Sequence, residues 1–251
     1  MRAEIIQKIN DLNREFYQNF ADSFSRTRGR IQPGVRRILE ELTHSGCWLD
    51  IGCGNGNLAR ELARSGREGY YLGIDGSTEL VREAESSLVN TNMSNNLTIH
   101  FLYQDITRSG WQDTLPEMDW TCAFLYAVLH HVPGEVERLQ LCREIHDLLI
   151  KEGRLYISVW QVNNSPRMLK RIQSWEAIGV VEEDVDTGDV LMDWRGEAAE
   201  GSKRIGLRYV HIFTMDELTN LARRSGFRVD NQFYSDGKEG NLGLYQVWTR
   251  N

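Results

Sequence analysis

The sequence predicts an α/β fold built on one mostly parallel sheet, and three observations lead to this prediction. Short apolar runs alternate with amphipathic stretches from Gly46 onward, a glycine-rich segment follows the first run, and two strand-like runs end the chain. Repeated strand–helix–strand units give parallel strands with helices on both faces. The last two runs add an antiparallel hairpin. We therefore predict a seven-stranded sheet that is parallel except at this end.

Five runs are candidate strands because they are short, apolar and rich in aromatic and β-branched residues. They are CWLDI (47–51), YYLGID (70–75), LTIHFLYQD (97–105), WTCAFLYAV (120–128) and RLYISVW (154–160). The stretches between them repeat apolar residues at helical spacing, which predicts helices. These helices cover residues 57–65, 77–89 and 135–150.

The last third of the chain begins irregularly and ends regularly. Residues 161–213 show one helical piece, around 167–177. A helix follows at 214–225, because Thr214 with Glu217 three residues later is a helix-start signal and a glycine comes after the last residue. The final two strands flank the turn-rich segment DGKEGN, which predicts a hairpin.

The chain shows no linker or repeat, so we predict a single domain, 1–251, in four parts. The apolar residues of the first part recur at helical spacing and predict an amphipathic helix. This part and the insert are expected to cover the carboxyl ends of the strands, where ligands bind in open α/β sheets. The parts are a helical cap (1–45), a core (46–160), a substrate-side insert (161–213) and a C-terminal helix with hairpin (214–251).

The composition excludes several classes of protein and favours the cytoplasm. No apolar run approaches the about 20 residues that span a bilayer, and the charged first twenty residues do not form a signal peptide. The four cysteines lack the spacing of a zinc site, so we predict no metal. The net charge of −7 disfavours indiscriminate nucleic-acid binding, although basic residues cluster at 26–37 and 203–228.

The segment LDIGCGNGN (49–57) carries the most functional information. Glycines between a strand and a helix allow a close backbone approach to a ligand. Asp75 ends the second strand, where a carboxylate can accept hydrogen bonds from ribose hydroxyls. A dinucleotide site needs GxGxxG before a helix that faces pyrophosphate, but Asn57 occupies the third glycine position. Asp50 suits an ammonium group better than a phosphate, so the loop favours S-adenosylmethionine (SAM) over NAD.

LDIGCGNG followed by GIDGS (73–77) resembles the motifs of class I SAM-dependent methyltransferases. The resemblance implies a Rossmann-like fold and assigns residues to the cofactor. Asp105 would contact the adenine amine, the Ile106 amide a ring nitrogen, and Tyr126 with Ala127 the methionine moiety. The predicted cofactor set is Asp50, Gly52, Cys53, Gly54, Gly56, Asp75, Gly76, Ser77, Asp105, Ile106, Tyr126 and Ala127.

Segments outside these motifs resemble one family in particular. Its members are the eukaryotic enzymes, including the methyltransferase part of an AlkB-like fusion protein, that methylate 5-carboxymethyluridine at the tRNA wobble position. The resemblance covers nearly the whole chain and implies tRNA as substrate and a small zinc-binding partner subunit. Val210 departs from the family pattern by replacing an aromatic residue, and Asn241-Leu242-Gly243 lacks its tryptophan. The matching segments are FSRTR (24–28), AVLHHV (127–132), ISVW (157–160) and RYVHIF (208–213).

The implied chemistry needs orientation more than proton transfer. A carboxylate acceptor is already ionised at neutral pH, so its methylation requires no general base. Arginine binds carboxylates with two donors, which makes Arg28 and Arg208 the predicted substrate-binding cations. Tyr17 and Tyr209 are predicted to stack on a base, and His131, His211 and Trp160 to shape the pocket. His130 or His131 would act as general base if the acceptor were a hydroxyl or an amine.

Three alternatives accompany this interpretation. A small-molecule O- or N-methyltransferase fits the acidic balance and the two lost aromatic residues. The second alternative is a SAM-binding regulatory protein without catalytic activity. The intact cofactor motifs disfavour it, because a chain that had lost its activity would be expected to lose such motifs. An NAD-dependent dehydrogenase is disfavoured by Asn57 and by the lack of a hydride-transfer site.

Overall fold

The computed structural model describes residues 1–26, 30–88, 96–197 and 203–251. No helix in these ranges is both long and apolar enough to cross a membrane. The elements in chain order are α1 (Ala3–Arg26), α2 (Pro33–Glu41), β1 (Ser45–Ile51), α3 (Asn57–Arg64), β2 (Glu68–Asp75), α4 (Thr78–Leu88), β3 (Leu97–Tyr103), β4 (Trp120–Tyr126), α5 (Glu135–Leu148), β5 (Leu149–Trp160), α6 (Pro166–Leu169), β6 (Ile172–Gln173), β7 (Asp189–Glu197), β8 (Lys203–His211), α7 (Met215–Arg224), β9 (Phe227–Ser235) and β10 (Gly243–Arg250).

The larger sheet has seven strands in the order β3-β2-β1-β4-β5-β10-β9. Strands β1 to β5 pair in parallel, and β10 pairs antiparallel with both β5 and β9. This arrangement confirms the predicted Rossmann-like sheet and its terminal hairpin. The direction of strand order reverses between β1 and β4, which creates a crevice at the carboxyl ends of these two strands.

The sheet is covered by apolar residues on both faces. Leu49 and Ile51 of β1 join the cluster that packs under α5 and α7, whereas Trp48 faces the cluster of α2 and α3. All three side chains are fully buried. Successive side chains of a strand point to opposite faces, and burial of each large apolar one stabilises the fold by about 1.5–3 kcal/mol. The near-continuous apolar run of this strand is therefore explained by burial on both sides.

The helix signals at 57–65, 135–150 and 214–225 are confirmed to within two residues at either end. The Thr214 hydroxyl accepts a hydrogen bond from the Glu217 amide at 3.1 Å, as the start signal predicts. The helix predicted over 77–89 is also found, but position 89 lies outside the described residues.

The prediction for residues 161–213 was wrong in its secondary structure. The region forms a second, antiparallel sheet in the order β6-β7-β8, and the expected helix at 167–177 is replaced by two short helical turns, α6 and the 3₁₀ turn Trp175–Ile178, on either side of β6. Ile172 and Gln173 instead pair with Met192 and Leu191 of β7. Backbone pairing with a strand about twenty residues away overrides the local helical preference here.

Helix α1 packs on this second sheet and is thereby placed beside the crevice. Ile9 forms an apolar cluster with Leu191 and Tyr209. Asn13 links α1 to the segment after β4 and to β8. Its side-chain amide donates to the His131 carbonyl at 3.0 Å, and its side-chain oxygen accepts from the Tyr209 amide at 2.9 Å. These contacts bring residues near 13, 131 and 209 to one place.

Candidate cofactor and acceptor site

A cavity of about 580 Å³ lies at the carboxyl ends of β1, β2 and β4. Helix α1, the segment before α2 and the β9–β10 turn form its other walls. All predicted cofactor residues except Gly56 line it. Three of the predicted acceptor-site residues also line this cavity, namely Tyr17, His131 and Trp160.

The glycine loop is held by the neighbouring strand and by Asp75. The Gly52 and Cys53 amides donate to the Ile74 carbonyl at 2.8 and 3.0 Å. Gly52 has φ +76° and a Cβ there would lie 2.3 Å from Val128, so glycine is required. The Asp75 carboxylate accepts from the Gly54 and Ser77 amides, each at 2.9 Å. This carboxylate thus fixes the loop on the cavity side of β2.

Asp75 and Asp50 are two carboxylates that line the cavity, the first half-buried and the second buried. Burial raises the pKa of Asp75, and the two amides partly offset this effect. Burial also raises the pKa of Asp50 to about 7, although a hydrogen bond from the Tyr71 hydroxyl at 2.5 Å opposes the rise and the Asp75 charge adds to it. A cationic ligand group would favour the ionised form of both carboxylates.

Asp105 is held differently from these two carboxylates. Burial raises the pKa of Asp105, but hydrogen bonds from Thr107 and the charges of Arg14 and Arg108 outweigh burial and leave the pKa below 3.8. Arg14 of α1 contacts Asp105 at 3.3 Å and lines the cavity itself. Sequence reasoning missed Arg14, because nothing in the helical pattern of α1 indicates that it lies beside Asp105.

The residues of this half of the cavity fit SAM. The cofactor has an ammonium group, a sulfonium and ribose hydroxyls, and the buried Asp50 and half-buried Asp75 provide carboxylates for cationic and hydroxyl groups. Among the described residues, the only lysine or arginine side chains that line the cavity are Arg14 and Arg30, and neither lies in the glycine loop. A pyrophosphate would find no cation at that loop. The described residues also contain no group of three or more His, Cys, Asp or Glu suited to a metal ion.

Tyr17 and His131 form a hydrogen-bonded pair on the opposite wall. The His131 Nδ1 atom lies 2.8 Å from the Tyr209 carbonyl, which can only accept, so Nδ1 carries the proton. In the neutral imidazole, Nε2 then accepts from the Tyr17 hydroxyl at 2.7 Å. Both ring nitrogens of His131 therefore have hydrogen-bond partners. An acceptor that needs a base would reach His131 through the Tyr17 hydroxyl.

Arg208 lies one layer behind this wall, which corrects its predicted position as a direct substrate ligand. The residue is only 4% exposed, and its guanidinium carbon lies 4.5 Å from the centre of the Trp160 ring. Phe16 and Trp194 complete an aromatic cage at 5.1 and 5.4 Å. Burial lowers the pKa of Arg208 from its usual value, and a hydrogen bond with Tyr17 opposes this effect.

The Arg208 charge has no carboxylate partner among the described side chains. No ion pair within that part of the chain includes it, and its Nε and Nη1 atoms are buried without a hydrogen-bond partner there. An arginine keeps its proton at neutral pH even when buried. The acceptor wall is therefore backed by an uncompensated positive charge.

Tyr209 and His211 do not line the cavity, which corrects their predicted positions. The His211 ring bridges Asp189 at 2.6 Å and Glu217 at 2.7 Å, and the Tyr209 hydroxyl donates to Asp189 at 2.7 Å. Arg138 donates to the Tyr209 hydroxyl at 3.1 Å. We call these five residues the Asp189 network. It fixes the end of β8, and none of its members lines the cavity.

Two other predicted site residues also lie elsewhere, and a third is outside the described residues. His130 is fully buried, with its ring centre 4.6 Å from that of Trp160, so it supports the wall from behind. Gly56 begins α3 with φ +75°, and a Cβ there would lie 3.0 Å from Ala84 and Phe101, so its role is in packing. Arg28 lies outside the described residues.

The parallel sheet, the crevice and the paired carboxylates define a SAM-binding protein of the class I methyltransferase fold. The chain belongs to the family described as "Methyltransferase domain", which matches residues 23–232. It is a SAM-dependent methyltransferase.

The chain is similar to two curated tRNA-modifying enzymes. A tRNA (carboxymethyluridine(34)-5-O)-methyltransferase of Schizosaccharomyces pombe is 27% identical over 238 residues, which cover 88% of this chain and 90% of that protein. The enzyme alkbh8 of Xenopus tropicalis, which carries the same activity name, is 23% identical over 90% of this chain and 40% of its own length. In fold, the chain resembles a SAM-dependent methyltransferase of Methanosarcina mazei, with a TM-score of 0.64, 23% identity, and coverage of 88% of this chain and 98% of the other.

Proposed function

We propose that this enzyme transfers the methyl group of SAM to a carboxylate oxygen of 5-carboxymethyluridine at the wobble position of tRNA. The observation that carries the carboxylate is the buried, uncompensated charge of Arg208 behind Tyr17 and Trp160. The two tRNA-modifying relatives support the nucleoside. The Arg208 charge and the two relatives together point to one acceptor, an anionic group on an RNA base.

Arg208 favours an anion at the wall without touching it. A carboxylate about 8 Å from the guanidinium would gain about 2 kcal/mol at an effective dielectric constant of about 20. A neutral hydroxyl or amine would gain far less from the same charge. The hydrogen bond from Arg208 to Tyr17 also orients the phenol, which is the polar group that faces the cavity. Arg208 is thus a positioning residue.

The chain's own groups hold the two reactants. Asp50 is placed to hold the ammonium group of the cofactor and Asp75 its ribose hydroxyls. Bound SAM supplies an electrophilic methyl group on a sulfonium, and the leaving thioether is neutral. Trp160 and Tyr17 cover the acceptor side and exclude water, and such orientation and desolvation can lower the barrier by about 7–11 kcal/mol. No residue has to remove a proton, since a carboxylate acceptor is ionised.

The test is transfer of labelled methyl from SAM to tRNA that bears 5-carboxymethyluridine, followed by nucleoside analysis and mild alkali. We expect alkali-labile label on the wobble nucleoside, and none on the same tRNA without the carboxymethyl group. The assay includes a small zinc-binding subunit of the kind that the resemblance implies, because we propose that such a partner activates the chain. Confirmed SAM binding without transfer, with the subunit present, would contradict the proposal.

A small-molecule O- or N-methyltransferase is the second candidate, and the Tyr17–His131 pair favours it. The Tyr17 oxygen could accept a proton from a hydroxyl acceptor while its own proton passes to His131 Nε2, 2.7 Å away. That route needs a neutral imidazole on His131 to take the proton, so activity would fall in acid, where an imidazole is protonated. Methylation of a carboxylate would show no such fall. The pH profile of the chemical step therefore separates the two candidates.

A further inference from the structure

Five cations lie at or near residues that line the cavity, and the methylation mechanism uses none of them. Arg30 lines the cavity and precedes α2, and Arg37 lies on α2. Lys238 lies in the β9–β10 turn, next to the lining residue Gly237. Arg167 and Lys170 flank Met168, which also lines the cavity. All five are exposed, and we call them the basic rim.

Two hydrogen bonds join the segments that carry the basic rim into one continuous surface. The Gly34 amide of α2 donates to Asp236 of the β9–β10 turn at 2.9 Å. The Asn164 side chain, just before α6, donates to the Asn241 carbonyl of the same turn at 2.8 Å. The turn therefore connects α2 on one side with α6 on the other, and so joins the segments that carry the five cations.

The basic rim is available to an anionic partner. No carboxylate of the described side chains lies within 4 Å of any of its five cations. Other arginines differ in this respect, since Arg36 contacts Glu61 at 3.4 Å and Arg14 contacts Asp11 at 2.6 Å. In a chain with a net charge of −7, five unpaired cations beside the cavity are a local departure from the overall charge.

Arg37 also connects the rim to the cavity wall. Its guanidinium carbon lies 4.1 Å from the centre of the Phe233 ring. Phe233 stacks on Tyr245 at 5.1 Å with the ring planes 3° apart, and Tyr245 lines the cavity. The cation is therefore held by a rigid aromatic column, with its other face exposed to solvent. A guanidinium plane held in this way can contact a phosphate or stack on a base.

We infer that the basic rim binds the phosphate backbone of single-stranded RNA on either side of the acceptor nucleotide. This inference rests on the proposed function and adds the surface on which the RNA lies. Cations that follow a groove track the backbone regardless of sequence, and the acceptor base enters the cavity between them. Sequence selectivity then comes from the cavity, because only a carboxylate-bearing base meets the charged wall.

The test measures binding of unmodified tRNA to the full chain, with SAM present and without reference to catalysis. The variant carries Arg37→Glu and Arg167→Glu, one change on each side of the turn. The matched control is Lys151→Glu, which makes the same kind of change near the start of β5. Lys151 is exposed and lies at the start of β5, whereas Trp160, at the other end of this strand, lines the cavity.

We expect the double variant to weaken tRNA binding at least 30-fold and to lower the slope of log affinity against log salt by about 1.4, since each lost single-strand phosphate contact removes about 0.7. The control should bind tRNA as the wild type does, and all three proteins should bind SAM equally. Wild-type affinity in the double variant, equal weakening in the control, or no tRNA binding by the wild type would each overturn the inference. Binding of tRNA without methylation would leave the inference standing and contradict the proposed function.

Discussion

The two halves of the cavity are built in different ways. In the cofactor half, carboxylates and backbone amides come from the ends of β1, β2 and β3 and the loops after them, at residues 50–77 and 105–106. In the acceptor half, Tyr17, His131, Trp160 and Arg208 are distant in sequence and meet through α1 and the second sheet. The first half is anionic and presents its charges to the ligand. The second presents neutral groups and keeps its cation one layer behind them.

This difference predicts that the halves respond separately to mutation. A local motif loses its ligand affinity when one of its own hydrogen bonds is removed. A wall assembled from distant segments loses its geometry when the residues packed behind it are changed. Changes in the cofactor half should alter SAM binding, and changes in the acceptor half should alter turnover at constant SAM affinity. The following predictions test this separation, from the largest expected effect to the smallest.

Asp75→Ala should weaken SAM binding about 100-fold. The change removes the acceptor of the Gly54 and Ser77 amides, and two hydrogen bonds to a charged group are worth about 3 kcal/mol together. Titration calorimetry measures the effect. Glu183→Ala, an exposed acidic position outside the cavity, is the control and should bind as the wild type does. Retention of near-normal affinity in Asp75→Ala would show that the loop does not depend on this carboxylate.

Arg208→Met should lower kcat/KM for the carboxylate acceptor about 30-fold and leave SAM affinity unchanged, because about 2 kcal/mol of attraction for the anion is lost. The free energy of unfolding should stay constant or rise, since the removed charge has no carboxylate partner among the described side chains. Steady-state kinetics and urea unfolding check the two parts. A loss of stability above about 2 kcal/mol would mean that Arg208 is a structural cation instead.

Tyr71→Phe should make SAM binding more sensitive to acid. The Tyr71 hydroxyl lowers the pKa of Asp50, which burial and Asp75 raise to about 7, so its removal raises that pKa further. The ammonium group needs the ionised carboxylate, and affinity near pH 7 should therefore fall about tenfold, as for one lost hydrogen bond to a charged group. Methylthioadenosine, which lacks the amino-acid part, is the internal control. Equal weakening of both ligands would assign Tyr71 a purely structural role.

His211→Gln should remove a small pH dependence of stability. Burial lowers the pKa of His211, but hydrogen bonds to Asp189 and Glu217 outweigh burial and hold the pKa above 6.5. A raised folded-state pKa stabilises the protein below about 6.5, and this stabilisation is lost as pH rises through the folded value. We expect the free energy of unfolding of the wild type to fall by about 1 kcal/mol as the pH rises, a value typical of one hydrogen bond. The variant should show no such fall. Urea unfolding across pH 5–8 measures it, and parallel curves would contradict the prediction.

The sequence predicted the cofactor half well because its signals are local. A glycine loop must follow a buried strand, and an acidic residue must end the next one, so spacing alone places Asp50, Asp75 and Asp105 at one edge of the sheet. The acceptor residues carried no equivalent signal. Successive side chains of the RYVHIF segment (208–213) point to opposite faces, as in any strand. Nothing in the amino-acid sequence indicates which face is directed toward the cavity and which toward Asp189.

What the sequence determined by itself is therefore the sheet, the glycine loop and the class of cofactor, since each follows from periodicity and short-range spacing. Tertiary structure decided the rest. It interrupted the helix expected at 167–177 with a short strand of a second sheet, placed His211 in the Asp189 network, and set Arg208 in an aromatic cage behind Tyr17. The physical reason is that burial and hydrogen bonding between separate segments, up to nearly two hundred residues apart, fix these side chains, and such contacts leave no local pattern.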